Sequence, residues 1–217
     1  MATIVIEGTD GCGKHTQSQM LTQALNNQNK PTFMQSFPNY GSQGAKAVEA
    51  MLSGKLGENV NSLDPYQSSI FFSVDRLYTF KTVLEEKLNQ GTNLVLDRYV
   101  ESNLLYQATK IEDETEREKF VNWLYDFEYG TLKLPKPDLI IFLNLPLQFS
   151  LKLIQERGRT KDIYEKDENF LMNVYERGLK LAKDKGFVIL DCIDFNGNLK
   201  TKETIHQEIM QLVNPLL

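Results

Sequence analysis

The sequence predicts an α/β protein with a parallel sheet, and two observations carry that expectation. Short apolar runs alternate along the 217 residues with longer stretches of helical period, the pattern of buried parallel strands joined by crossover helices. The first run feeds a glycine-rich turn, Gly8-Thr9-Asp10-Gly11-Cys12-Gly13-Lys14, at the mouth of a helix.

Thr3–Ile6 reads as the first buried strand. The helix after Lys14 carries Met20, Leu21, Ala24 and Leu25 on one face and ends in the polar stretch Asn26–Lys30. A weaker strand at Thr32–Ser36 then completes a first strand–helix–strand unit. Two helical patterns follow, around Ala45–Leu52 and Gln67–Leu88, the second with Ile70, Val74, Leu77, Tyr78, Leu84 and Leu88; this insertion is expected to cover the site. Asn93–Leu96, Leu139–Leu143 and Phe187–Leu190 supply three more strands. The charged stretch Lys110–Lys119 mixes signs at helical spacing and predicts a solvated helix face or a loop. Ile205, Ile209, Leu212 and Val213 form one face of a last helix that closes the sheet. With 41% hydrophobic residues and no internal repeat or low-complexity linker, residues 1–217 are expected to form one domain around one core.

The formal charge of −5 argues against a surface adapted to long nucleic acid and favours a small anionic substrate held in a local basic pocket. Cys12 and Cys192 are the only cysteines and have no zinc-ligand spacing, which predicts neither a disulfide framework nor a structural metal, and a reducing, cytoplasmic setting. No segment approaches roughly 18 consecutive apolar residues, so no membrane span is expected.

The glycine turn has the GxxxxGK spacing of a P-loop in its required strand–helix context. Gly8, Gly11 and Gly13 let the backbone curl so that its N–H groups converge on phosphate oxygens, and Lys14 supplies a flexible point charge between the outer phosphates. The residue after the lysine should be Ser or Thr, with its hydroxyl on Mg²⁺; here it is His15, and a hydroxyl follows at Thr16. The metal would then rest on phosphates, water and carboxylates such as Asp10 or Asp97. His15 itself either caps or packs at the helix start or takes a direct role. Cys12 is either a thiol activated by the helix N-terminus or a small residue in a tight loop. Leu94-Val95-Leu96-Asp97-Arg98-Tyr99 sets an acid and a base at the carboxyl end of a strand, where open α/β sheets bind ligands; alone the two would equally form a structural ion pair.

Gly8–Gln17, Asp97-Arg98-Tyr99, Ser102, Tyr106-Gln107 and Leu134-Pro135-Lys136-Pro137-Asp138 together resemble the thymidylate kinases in order and spacing, over nearly the whole chain. The resemblance implies a P-loop nucleoside-monophosphate kinase fold of three α/β/α layers, with a five-stranded parallel sheet and a lid at about residues 157–165. It also implies transfer of the γ-phosphate of ATP to dTMP with Mg²⁺, in a homodimer, for which exposed apolar positions on the helix after Gln67 would supply an interface. ATP is expected on Gly8, Thr9, Asp10, Gly11, Cys12, Gly13, Lys14, His15 and Thr16. By matching position, Phe37-Pro38 resembles a substrate-loop motif, Phe72 the aromatic that stacks on the base, and Arg76 the arginine at the base edge. Arg98 resembles a clamp on the acceptor phosphate, while Ser102, Tyr106 and Gln107 share one side of a helix beside sugar and base.

Some thymidylate kinases carry an arginine inside the P-loop; the matching position here is Gly11, which leaves Arg157 and Arg159 in the lid to supply charge to the transition state unless that turn is merely basic surface. The expected catalytic set is therefore Lys14, Asp97, Arg98, Arg157 and Arg159. Tyr40 stands where many relatives have an arginine after Phe37-Pro38. Together with His15 it leaves two other readings open, a kinase of another deoxynucleotide or of a nucleoside, and a nucleotide-binding module of impaired catalysis.

Overall fold

A computed structural model describes residues 1–156 and 162–217. The chain forms β1 (Thr3–Gly8), α1 (Lys14–Asn27), β2 (Thr32–Ser36), α2 (Lys46–Leu52) and α3 (Pro65–Thr79). A π-helical turn, Phe80–Leu84, joins α3 to α4 (Glu85–Asn89), so the pattern over Gln67–Leu88 is one helical path with a bulge in it. The order continues with β3 (Asn93–Asp97), α5 (Val100–Tyr106), α6 (Glu114–Tyr125), a second π turn at Asp126–Thr131, and β4 (Leu139–Asn144). It ends with α7 (Leu147–Glu156), α8 (Glu168–Asp184), β5 (Val188–Asp191) and α9 (Lys202–Val213).

All strand pairs are parallel, in the order β2-β3-β1-β4-β5. Four strands reach past the apolar cores read from sequence or shift by a residue. β1 continues through Glu7 to Gly8, β3 to Asp97 and β4 to Asn144, while Phe187 precedes β5 and donates its N–H to Ala182. A change to polar residues ends the apolar signal but not the backbone ladder, which is indifferent to side-chain chemistry.

Alternation along the strands divides the core in two. Ile4, Ile6, Val95, Ile141 and Leu143 pack against Leu21 and Leu25 of α1 and Ile205, Ile209 and Val213 of α9. Val5, Leu94, Leu96 and Phe142 face the other way, onto Leu104 and Leu105 of α5, Phe120 of α6 and Val174 of α8. A period of two on strands buried on both faces therefore yields the three-layer α/β/α arrangement. The stretch Lys110–Lys119 begins α6 as a solvated face, capped by Asp113, whose carboxylate accepts from Glu116 N.

Register brings the carboxyl ends of the central strands level. Ser36 and Ile6 each pair with Asp97, and Gly8 pairs with Leu143. From β1 the chain crosses toward one edge of the sheet and from β4 toward the other, which opens a crevice between their carboxyl ends.

Candidate active site

That crevice is a cavity of ≈ 760 Å³ lined by Lys14, Phe72, Arg76, Asp97, Arg98 and Gln107 among others. Asp10, Gly11, Gly13, His15, Thr16, Phe37, Pro38, Tyr40, Ser102 and Tyr106 also reach it. Gly8, Thr9 and Cys12 do not line it, and the side chains of Thr9 and Cys12 are buried. A Cβ at Gly8 would stand 2.7 Å from Cys12 Sγ and 2.8 Å from the Leu143 carbonyl, so the turn has no room for one. Cys12 is buried, and burial pushes its thiol up against the opposing charges of Lys14 and Arg98.

Lys14 is buried, and its ammonium donates to the Thr9 carbonyl at 2.6 Å within the curl of the loop. His15 forms no cap. Its exposed ring sets Nδ1 3.2 Å from Asp97 Oδ2, and Ser36 Oγ donates to the same oxygen at 3.2 Å. The adjacent Asp97 and Arg98 do not pair with each other. Arg98, at a left-handed φ of 69°, turns its guanidinium to Asp10 Oδ1 at 2.5 Å and to Ser102 Oγ at 3.3 Å. Burial works against its charge, but Tyr106 and the carboxylates of Asp10, Glu7 and Asp97 outweigh that and hold its pKa well above the usual value. Tyr106 hydroxyl donates to Asp10 Oδ2 at 2.8 Å, and its ring lies under the guanidinium at 5.2 Å.

Beneath this layer runs one whose buried carboxylates, Glu7 and Glu128, sequence reasoning missed. Glu7, completely buried, accepts from Tyr99 N and from Ser102 Oγ, each at 2.9 Å, and burial raises its pKa although Arg98 opposes the rise. Arg76 is also shut in, with Nε and Nη2 on the carboxylate of buried Glu128 and Nη1 on the Tyr99 carbonyl at 3.3 Å. Asn103 lines the cavity one helical turn before Gln107, a spacing visible in the sequence. Gln107 Nε2 donates to the Tyr164 hydroxyl at 3.1 Å, and its buried Oε1 has no donor among the described residues. Phe37 packs on the Tyr99 ring at 5.9 Å and joins Pro38 through a cis peptide bond.

Arg157 and Arg159 lie outside the described residues. Of the segment expected as a lid, Asp162 and Tyr164 line the cavity, and burial together with the facing Asp10 pushes Asp162 up to about 6. Among the described residues no three His, Cys, Asp or Glu side chains converge on one point. Asp10 and Asp97 are nevertheless hard oxygen donors on the cavity wall, and they fit a Mg²⁺ that keeps water and phosphate in most of its six positions.

A P-loop at the end of β1, facing across one cavity an arginine after β3 and an aromatic and arginine on α3, defines a kinase of small phosphorylated acceptors, the P-loop nucleoside-monophosphate kinase class. Comparison with known proteins narrows the class. The thymidylate kinase family model matches residues 6–209. A probable thymidylate kinase of Methanocaldococcus jannaschii is 31% identical over 95% of this chain and 93% of its own. The thymidylate kinase of Mycobacterium tuberculosis is 33% identical over 76% and 78%. A solved structure of thymidylate kinase from Candida albicans superposes with a TM-score of 0.72 at 25% identity, covering 99% of this chain and 91% of that one. The chain belongs to the thymidylate kinase family. No helix among the described residues is long and apolar enough to cross a membrane.

Proposed function

We propose that this enzyme transfers the γ-phosphate of ATP to dTMP, giving dTDP and ADP, in the cytoplasm. The observation that carries the proposal is the single cavity that holds a P-loop lysine, Lys14, together with a phosphate clamp, Arg98, and a base pocket of Phe72, Arg76 and Gln107. ATP phosphates lie on the loop amides between Asp10 and Thr16 that face the cavity, with Lys14 leaving the Thr9 carbonyl to bridge them. The acceptor phosphate faces Arg98, whose planar fork suits two oxygens at once. Phe72 stacks on the base, Arg76 meets its carbonyl edge, and Gln107 Oε1 accepts from a ring N–H. Tyr106 and Ser102 bound the sugar, while Phe37 and Pro38 shape the substrate loop.

The nucleophile is a phosphate oxygen already ionised at neutral pH, so positioning and charge compensation do most of the catalytic work. Asp97 orients the acceptor, and Arg157 and Arg159 bring charge to the phosphoryl group in flight. Asp10 and Asp97 would hold Mg²⁺, which would supply neutralisation of the phosphate oxygens. Exposed Ile70, Val74 and Tyr78 on α3 support a homodimer.

An ADP-release assay across the common nucleoside and deoxynucleoside monophosphates and nucleosides tests the reading. dTMP is expected to give the highest kcat/KM. A different best acceptor would reassign the substrate. ATP binding without turnover of any acceptor, even after His15→Thr, would make this a nucleotide-binding module instead.

A further inference from the structure

Glu128 is completely buried, 52 residues from Arg76 in sequence, and lies in the π turn that follows α6. Helical irregularities of this kind recur at functional sites. Its two oxygens take Nε and Nη2 of Arg76 side-on, and Ser73 Oγ donates to Oε1 at 2.6 Å. Nη1 reaches the Tyr99 carbonyl. Three of the five N–H donors of the guanidinium are thereby committed to this chain. The plane of the group is fixed, and two donors remain among the described contacts for an occupant of the cavity that Arg76 lines.

Stability alone gives little reason for such a pair, because buried ion pairs are often no better than apolar residues of the same volume. Recognition gives one. A guanidinium that cannot rotate offers donors and no acceptor at that point of the wall, so it meets a ring carbonyl well and an exocyclic amine badly. From this we infer that Glu128 is a positioning residue for base choice, acting through Arg76 to favour a 4-oxo over a 4-amino pyrimidine. The inference rests on the proposed function and deepens it.

The test compares dTMP, dUMP and dCMP as acceptors for the wild type and for Glu128→Gln, whose amide keeps the volume but turns an N–H₂ group toward Arg76. In the variant, KM for dTMP should rise about tenfold and the dTMP-to-dCMP ratio of kcat/KM should fall by about the same factor, with KM for ATP within about twofold. A merely structural role would lower the melting temperature and the active fraction without touching that ratio. Arg76→Met and the double variant Arg76→Met/Glu128→Gln should show the same lost discrimination, since Glu128 has no effect once the residue it holds is gone.

If Glu128→Gln does not fold, Ser73→Ala decides the matter by withdrawing one donor from Oε1. A fall of about two- to fivefold in the ratio supports the role, and an unchanged ratio overturns it. Wild-type turnover of dTMP, measured alongside, keeps the two claims separate. Its absence overturns both, whereas an active wild type with an unchanged ratio in Glu128→Gln overturns only the role of Glu128.

Discussion

Tyr129 donates a 2.6 Å hydrogen bond to one oxygen of Glu101, while the other oxygen is buried without a partner among the described residues. Burial pushes this carboxyl from its ordinary 4.5 up to about 7; the Tyr129 hydroxyl pulls it down and the nearby Glu7 adds to the rise. The folded protein therefore binds this proton more tightly than the unfolded chain. Stability from the group is fully present below about pH 4.5 and is lost as pH rises through 7, a cost on the order of 3 kcal/mol by pH 8. Glu101→Gln removes the ionisation and still offers Tyr129 an acceptor. Thermal unfolding should show the variant more stable than wild type at pH 8, with the gap closing toward pH 5. A melting difference that does not change with pH would contradict this account. Nothing in the sequence announced Glu101, Glu7 or Glu128 as buried, because an isolated glutamate beside apolar residues reads as the solvated end of an element. Their partners lie on other elements, beyond any local spacing. Lys14 and Arg98 stand in short-range motifs at the ends of β1 and β3 and could be singled out from sequence, whereas Gln107 was named only through the family resemblance.

Packing between the P-loop and α7 accounts for another property of the site. Gly11 has φ of 78°, and a Cβ there would stand 2.7 Å from the carbonyl oxygen of Ser150 and 3.0 Å from Ile154 Cγ1, both on α7. The position that carries an arginine in some thymidylate kinases is thus closed in this chain by backbone, which cannot swing aside as a side chain can. Gly13 has φ of 90° but nothing within 4 Å of its Cβ position. Alanine at 13 pays only the left-handed strain of about 1–2 kcal/mol, whereas alanine at 11 adds an overpacking cost of about 1–3 kcal/mol. Urea unfolding should rank Gly11→Ala below Gly13→Ala, and equal losses would mean that the loop does not lean on α7. The sequence marked both glycines as necessary but could not say why they differ, since the difference is made by a helix well over a hundred residues downstream. Strands were easier: Ile4 and Ile6 against Val5 already separate the two faces, and what escaped the apolar pattern were the polar strand ends Glu7-Gly8, Asp97, Asn144 and Asp191. The π turns after α3 and α6 left no mark in hydrophobic period.

On the scale of the whole molecule, α3 presents two different faces. Phe72 and Arg76 turn into the cavity, and the helix starts at a capping box in which Asp64 and Gln67 bond each other's backbone N–H, with Pro65 in the first turn. Ile70, Val74 and Tyr78, spaced by four, form an outward stripe with exposures of 42%, 50% and 39%. An apolar stripe on a helix whose other face is already packed is the kind of surface a twofold dimer covers with its own copy. Sedimentation at micromolar concentration should then give about twice the chain mass of 25.0 kDa. Val74→Glu sets a charge at the middle of the stripe, where it would be desolvated against its symmetry mate, and should shift the mass toward that of one chain. Because the same helix carries Phe72 and Arg76, loss of the partner should also raise KM for dTMP while leaving KM for ATP nearly unchanged, since the P-loop hangs from β1 and α1 on the other side of the cavity. A wild-type protein that sediments as a single chain, or a Val74→Glu variant that stays paired, would remove α3 as the interface and leave its inward face as its one role in the site.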